Sequence, residues 1–291
     1  MNRSSWLRFA MDWNKPPLAT DPPVSSREEK RLDHADKKKC APRIFWLSRD
    51  EPSRHKAQPM DISDSKIINL KKMVTAAHEE FYMAVKYHEV WKPSAYDKDL
   101  HSRMRRSYAS QAFLVIWDAL GREMVLALTR VWDRHKQAVR MSLIVHTIRK
   151  SAVIDALAAE RAKPFNWPGV FEQMRADLQV KADRVIELVS KYSEGGSHNA
   201  VREDLLRLRD ERLAHRQMEP STVAGADKFD EAVEEFYQDN AKIIQELLSL
   251  ANAEAYDPLD AAEGYQRYAA EFWAGVRGER TEGHPHFRPG R

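Results

Sequence analysis

At 291 residues the chain is long enough for one large domain or two small ones. Its formal net charge is +3, but residues 1–59 carry 13 Lys/Arg against 8 Asp/Glu, which leaves the remainder slightly acidic. Such a body does not look like a wrapper of duplex DNA, yet it suits an enzyme that touches a few phosphates at one place. The single Cys40 excludes a disulfide framework and a Cys-rich zinc site, and it fits a reducing cytoplasm. No apolar run approaches the roughly 20 residues of a membrane span. "AFLVIW" at 112–117 is the best and is too short, and the start "MNRSSWLRFAMDWNK" lacks the apolar segment of a secretory signal.

Residues 1–59 hold seven of the 14 prolines and the run Lys37-Lys38-Lys39, with no sustained period. They read as a mostly disordered, basic, Pro-rich leader, "RIFWLS" at 43–48 its one sticky patch. A second reading starts translation at Met60, where composition changes abruptly. From Asp61 the pattern is helical. Ile67, Leu70, Val74, Phe81 and Val85 recur at three- and four-residue steps, as do Ile116, Leu120, Met124, Leu128 and Trp132. Further helices are predicted within 141–162, 167–193, 198–217, 227–253 and 259–276, with Pro93, Pro164, Pro168, Pro220 and Pro258 between periodic segments. "SEGGS" at 193–197 supplies a flexible turn. Strand alternation and internal repeats are missing. The expectation is an all-α, up-and-down helical bundle over 60–255, with an extra C-terminal helix at 256–277 and a flexible tail at 278–291.

All-α bundles often hold metals, but no histidine here has a carboxylate three residues before it, as a ferritin-like di-iron site needs. "HEEFY" at 78–82 ends in Tyr where a zincin helix needs His, and Gly195-Gly196 follows no strand, so a phosphate-cradling loop also fails. No metal or cofactor is expected.

The stretch that stands out is "LRLRDERLAHRQ" at 206–217. At about 100° per residue, Arg209 falls between Leu205, Leu206 and Leu213, in the middle of the leucine stripe. A lone guanidinium rarely sits there, because desolvating an unpaired charge costs several kcal/mol. His215 falls about 120° away and about 9 Å further along, so one straight helix does not aim both side chains at one point. Two copies related by a twofold axis would do so across a shared cleft, which favours a composite site in a homodimer.

Arg209-Asp210-Glu211-Arg212-Leu213-Ala214-His215 resembles the Arg-x(4–6)-His signature of HEPN domains, with a polar residue directly after the Arg. Together with "LALTRVWDRHKQAVRMSLIVHTI" at 126–148, it looks most like the abortive-infection, AbiU-type branch, over about residues 60–255. The resemblance implies a HEPN-like bundle acting as a cytoplasmic, metal-independent endoribonuclease of a phage-defence or toxin system. RNA is then the substrate, a homodimer the working form, and an antitoxin protein a further partner. His215 takes the acid/base role, Arg209 the phosphate clamp, and Asp210 orients one of them, with Arg212 and Arg216 as added phosphate contacts. The alternative is a catalytically inactive HEPN-like dimer that binds RNA or protein.

Each residue also has a plainer reading. His215 would interact with helix C-terminal carbonyls. Arg202, Arg207, Arg212 and Arg216, interleaved with Glu203, Asp204, Asp210 and Glu211, would form a salt-laced solvated face. Arg130 and Asp133 in "TRVWDRH" read equally as support for the site or as a buried ion pair bracing the bundle. Trp117, Trp132, Tyr265, Tyr268, Phe272 and Trp273 are most simply core or interface.

Overall fold

The computed structural model describes residues 62–104, 107, 109–135, 137–213, 226–278 and 288, all within one compact unit. Among these residues there are nine α-helices and no strand. They are α1 (Ile62–Tyr96), α2 (Lys98–Met104), α3 (Ser110–Arg130), α4 (Met141–Ile148), α5 (Ser151–Ala162), α6 (Val170–Tyr192), α7 (Asn199–Leu208), α8 (Ala226–Leu247) and α9 (Asp260–Gly275). Helices α7 and α8 each run on into a wide π-helical turn, at Arg209–Leu213 and Leu248–Asn252. The all-α bundle expected from periodicity is the observed architecture. The leader at 1–59 and most of the tail at 278–291 lie outside the described residues. Among the described residues no helix is long and apolar enough to cross a membrane.

Helix α1 is the spine, about 50 Å long at 1.5 Å per residue. Its stripe of Ile67, Leu70, Val74, Ala77, Phe81, Ala84, Val85 and Trp91 is buried, and it packs against α3, α9, α5 and α8. Gly121 of α3 lets that helix approach closely: a Cβ there would sit 3.1 Å from the Trp91 indole nitrogen. A smaller apolar cluster of Leu100, Met104, Phe113, Ala269 and Trp273 fastens α9 over α2 and α3.

Two element boundaries differ from expectation. Pro93 lies inside α1 rather than after it. The missing N–H forfeits one bond near the helix end, and the Asp97 N–H closes the last turn onto the Pro93 carbonyl at 2.8 Å. The Asp97 carboxylate then accepts from the Asp99 and Leu100 N–H groups and starts α2. The segment 141–162 is two helices, because the chain turns through an extended Lys150 (φ –81°, ψ 117°). Neither Gly nor Pro marks that turn.

The turn entering α7 is fixed by the backbone. Gly195 has φ +79°, and a Cβ on Gly196 would press into the carbonyl oxygens of Ser190 and Lys191. Gly196→Ala is therefore expected to cost about 1–3 kcal/mol, as overpacking against atoms that cannot retreat does. Urea unfolding checks this: a variant as stable as wild type would mean that the turn relaxes freely.

Between the apolar layers runs a buried polar seam. His88 donates from both ring nitrogens, Nδ1 to Glu89 Oε1 at 2.7 Å and Nε2 to Glu234 Oε2 at 3.0 Å. The Tyr237 hydroxyl and the Gln266 amide also donate to Glu89, at 3.2 and 2.9 Å. Tyr237 stacks on the imidazole at 4.1 Å between centroids. The seam ties α1 to α8 and α9. Burial opposes the charge on His88, but the hydrogen bonds and charges of Glu234 and Glu89 outweigh it and raise its pKa above 6.5.

Candidate functional site

Helix α3 ends at Arg130 and the chain crosses an irregular loop, 131–140, before α4. Trp132 anchors that loop: its ring is buried against Tyr192 and Phe236, and its indole N–H donates to Asn240 Oδ1 at 2.9 Å. The next residue, Asp133, divides its two oxygens between two tasks. Oδ1 accepts from the His135 N–H at 3.0 Å, a local turn that holds the loop's shape. Oδ2 accepts from Arg209 Nη1 at 3.1 Å, 76 positions along the chain.

Arg209 is the first residue of the π-helical turn that continues α7. Its neighbours Leu205, Leu206, Leu208 and Leu213 are all buried, and its own side chain is only 14% exposed, as the leucine stripe implies. The charge that needed a partner has two: Asp133, and Asp210, whose Oδ1 takes the Nε–H at 2.7 Å. Among the described residues nothing accepts from Nη2. Nε and Nη1, on different edges of the guanidinium, are thus both committed to carboxylates, which fixes the plane of the fork. Burial alone would push Asp133 upward, but N–H donation from His135 and Arg134 and the charge of Arg209 hold its carboxyl below the usual range.

The π-helical turn changes the helix arithmetic. Its i→i+5 bonds widen the turn, so rotation at 100° per residue does not carry past Arg209. The angle of His215 from Arg209 therefore does not follow from an ideal helix. His215 and Arg216 lie outside the described residues, as does the side chain of Arg212. Such turns often occur at functional sites in helices.

Arg130 and Asp133 are not a pair. Arg130 Nη1 donates to Glu80 Oε2 at 2.9 Å and bridges α3 to α1 at the half-exposed surface. Asp133 is the one that touches Arg209. Among the flanking charges, Arg207 pairs with Asp204 and Arg202 with Glu203, the salt-laced pattern expected. Arg202 is nevertheless only 16% exposed. It faces a cleft of about 170 Å³ together with Trp132, Asp133, Arg134, Arg140 and Ser142. That cleft shares Asp133 with Arg209. No local motif signals it, because its arginines come from α7, the 131–140 loop and the start of α4.

The family described as AbiU2 (HEPN_AbiU2) matches residues 67–272, so the matched span takes in most of α9. No curated protein and no solved structure matches the chain.

Proposed function

The chain belongs to the AbiU2 family of HEPN-like abortive-infection proteins, and from that premise we propose that it is a metal-independent endoribonuclease, working as a homodimer with a composite Arg209–His215 site. The observation that carries the reading is the guanidinium of Arg209, sheltered in the leucine stripe and fixed in plane by Asp133 at Nη1 and Asp210 at Nε, with no acceptor for Nη2 among the described residues.

The chemistry follows from what these groups do. A base takes the proton from a ribose 2′-hydroxyl, whose oxygen attacks the adjacent phosphorus. The 5′-oxygen of the next nucleotide leaves with a proton from an acid, giving a 2′,3′-cyclic phosphate and a 5′-hydroxyl. Histidine titrates near neutrality and serves either proton transfer, so His215 takes the acid/base role. An arginine fork binds phosphate oxygens and stays charged as the phosphorane forms, so Arg209 is the clamp. Asp210 and Asp133 are positioning residues: they fix the fork without being consumed. RNA rather than DNA follows from the 2′-hydroxyl.

The expected result is cleavage of single-stranded RNA by the full chain in EDTA, with cyclic-phosphate and 5′-hydroxyl ends. Full methylation of the 2′-oxygens should abolish cutting. A folded dimer that binds RNA and cuts none would favour the inactive binding module. Products with 5′-phosphate ends would contradict the 2′-hydroxyl mechanism.

A further inference from the structure

Arg140 is the unusual arginine of this region. Among the described residues it has no ion pair, and its Nε is buried without a hydrogen-bond partner. Arg202 and Arg207 share that buried Nε but each has a carboxylate partner; Arg140 has none, and an unbalanced cation beside a cleft attracts an anion. It lines the cleft of about 170 Å³ beside Asp133, several times the roughly 30 Å³ share of one water.

The other walls agree. Arg202 also has a buried Nε without a partner, while its Nη2 donates to Asn199 at 2.9 Å and to Glu203 at 2.5 Å. Arg134 lies across from it and donates to both Glu203 oxygens at 2.6 Å. The nearby carboxylates, Asp133 and Glu203, are thus already committed to Arg209, Arg202 and Arg134, which leaves the charge of Arg140 uncompensated. Arg140 also caps α4 without a side-chain bond. The first turn of that helix, with the Ser142 hydroxyl, borders the cleft, adding the positive end of a helix dipole.

We propose that this cleft is a second phosphate subsite, holding the RNA backbone phosphate that neighbours the one clamped by Arg209. The proposal rests on the nuclease reading above and extends it: the substrate is gripped at two successive phosphates, with Asp133 as the wall between them. Arg140 and Arg202 bind the neighbouring phosphate, and strand direction through the site is set by which side of Arg209 the cleft occupies.

The test uses the full chain and a short 2′-O-methyl RNA, which binds without being cut, titrated by fluorescence anisotropy over a series of salt concentrations. Arg140→Gln is expected to weaken binding roughly tenfold and to lower the salt slope by about 0.7, one single-strand phosphate. Its melting temperature should stay unchanged, because no internal partner is lost. Arg184→Gln, which removes an exposed bridge to Glu246 on the α6–α8 face, should bind as wild type. If Arg140→Gln matches wild type in affinity and slope, the subsite is wrong and the nuclease reading stands. Equal weakening by Arg184→Gln would reduce the effect to diffuse surface charge and overturn the subsite. If wild type binds inorganic phosphate through Arg140 but not the oligonucleotide, the cleft is a free-anion site and the RNA assignment fails. If wild type binds neither, the nuclease reading falls and the subsite with it.

Discussion

Arg209→Ala is expected to lower single-turnover RNA cleavage by about 10²- to 10³-fold, the usual cost of removing one preorganised charge stabiliser. The helical fold should survive. Asp133 and Asp210 lose their shared partner, but Asp133 is 29% and Asp210 54% exposed at the side chain, so water takes over part of the role. Asp133 also keeps the His135 N–H. Stability should therefore fall by about 1 kcal/mol or less, as for a partly exposed ion pair. Arg209→Lys separates charge from geometry. An ammonium keeps the charge, but it cannot span Asp133, Asp210 and a phosphate with a planar fork, so most of the loss should remain. Cleavage assays alongside circular-dichroism melts decide the point. A folded Arg209→Ala protein that cuts at the wild-type rate would remove Arg209 from the mechanism.

The largest stability effect is expected far from that site, at His88. Replacing it with Leu leaves Glu89 and Glu234 facing one another without the imidazolium between them, and Glu89 is almost fully buried. Breaking a buried pair from one side costs about 3–5 kcal/mol. In a unit of this size that is a drop of about 6–20 °C in melting temperature. The same seam sets a pH dependence. His88 has its pKa raised, so its stabilisation is complete below the unfolded value of 6.5 and is lost as pH rises through the folded value. Glu234, although burial pushes it up, is held down to about 2 by His88, and Glu89 is also lowered. Their stabilisation is complete above the unfolded value of 4.5 and is lost as pH falls through the folded values. Stability should therefore peak between about 4.5 and 6.5 and decline on the alkaline side by the release of one proton. Urea titrations across pH measure that slope. A wild-type slope that is flat above 6.5, or one that persists unchanged in His88→Leu, would contradict a charged His88.

The bundle was legible because the core of α1 repeats every three or four residues: Ile67, Leu70, Val74, Phe81 and Val85 are all buried. The same rule misplaced Ile116, which is 41% exposed on α3, because periodicity finds a face without saying what covers it. Pro93 reads as a stop, yet a proline so near a helix end loses only one bond. The break at Lys150 carried no sequence mark, because packing bends the chain there.

At the site, the oddity of Arg209 was visible in one helix turn, since a charge in a leucine stripe demands partners. Asp210 was visible as its chain neighbour. Asp133 stands out in "TRVWDRH", but its partner does not, because a contact across 76 positions is made by the fold. The Arg140 cleft was invisible for the same reason: it arises where α7, the 131–140 loop and α4 meet.

The composite site is tested most directly by mixing two inactive proteins. Arg209→Ala and His215→Ala are prepared separately, subunit exchange is verified by a label, and RNA cleavage in EDTA is measured on each and on the mixture. In a dimer that pairs Arg209 of one copy with His215 of the other, a mixed dimer carries one intact site and one doubly damaged site. The mixture should therefore recover activity that neither parent has, toward a quarter of wild type when half the dimers are mixed and each keeps one site of two. A fully exchanged mixture that stays as inactive as its parents would contradict a site shared across the twofold axis.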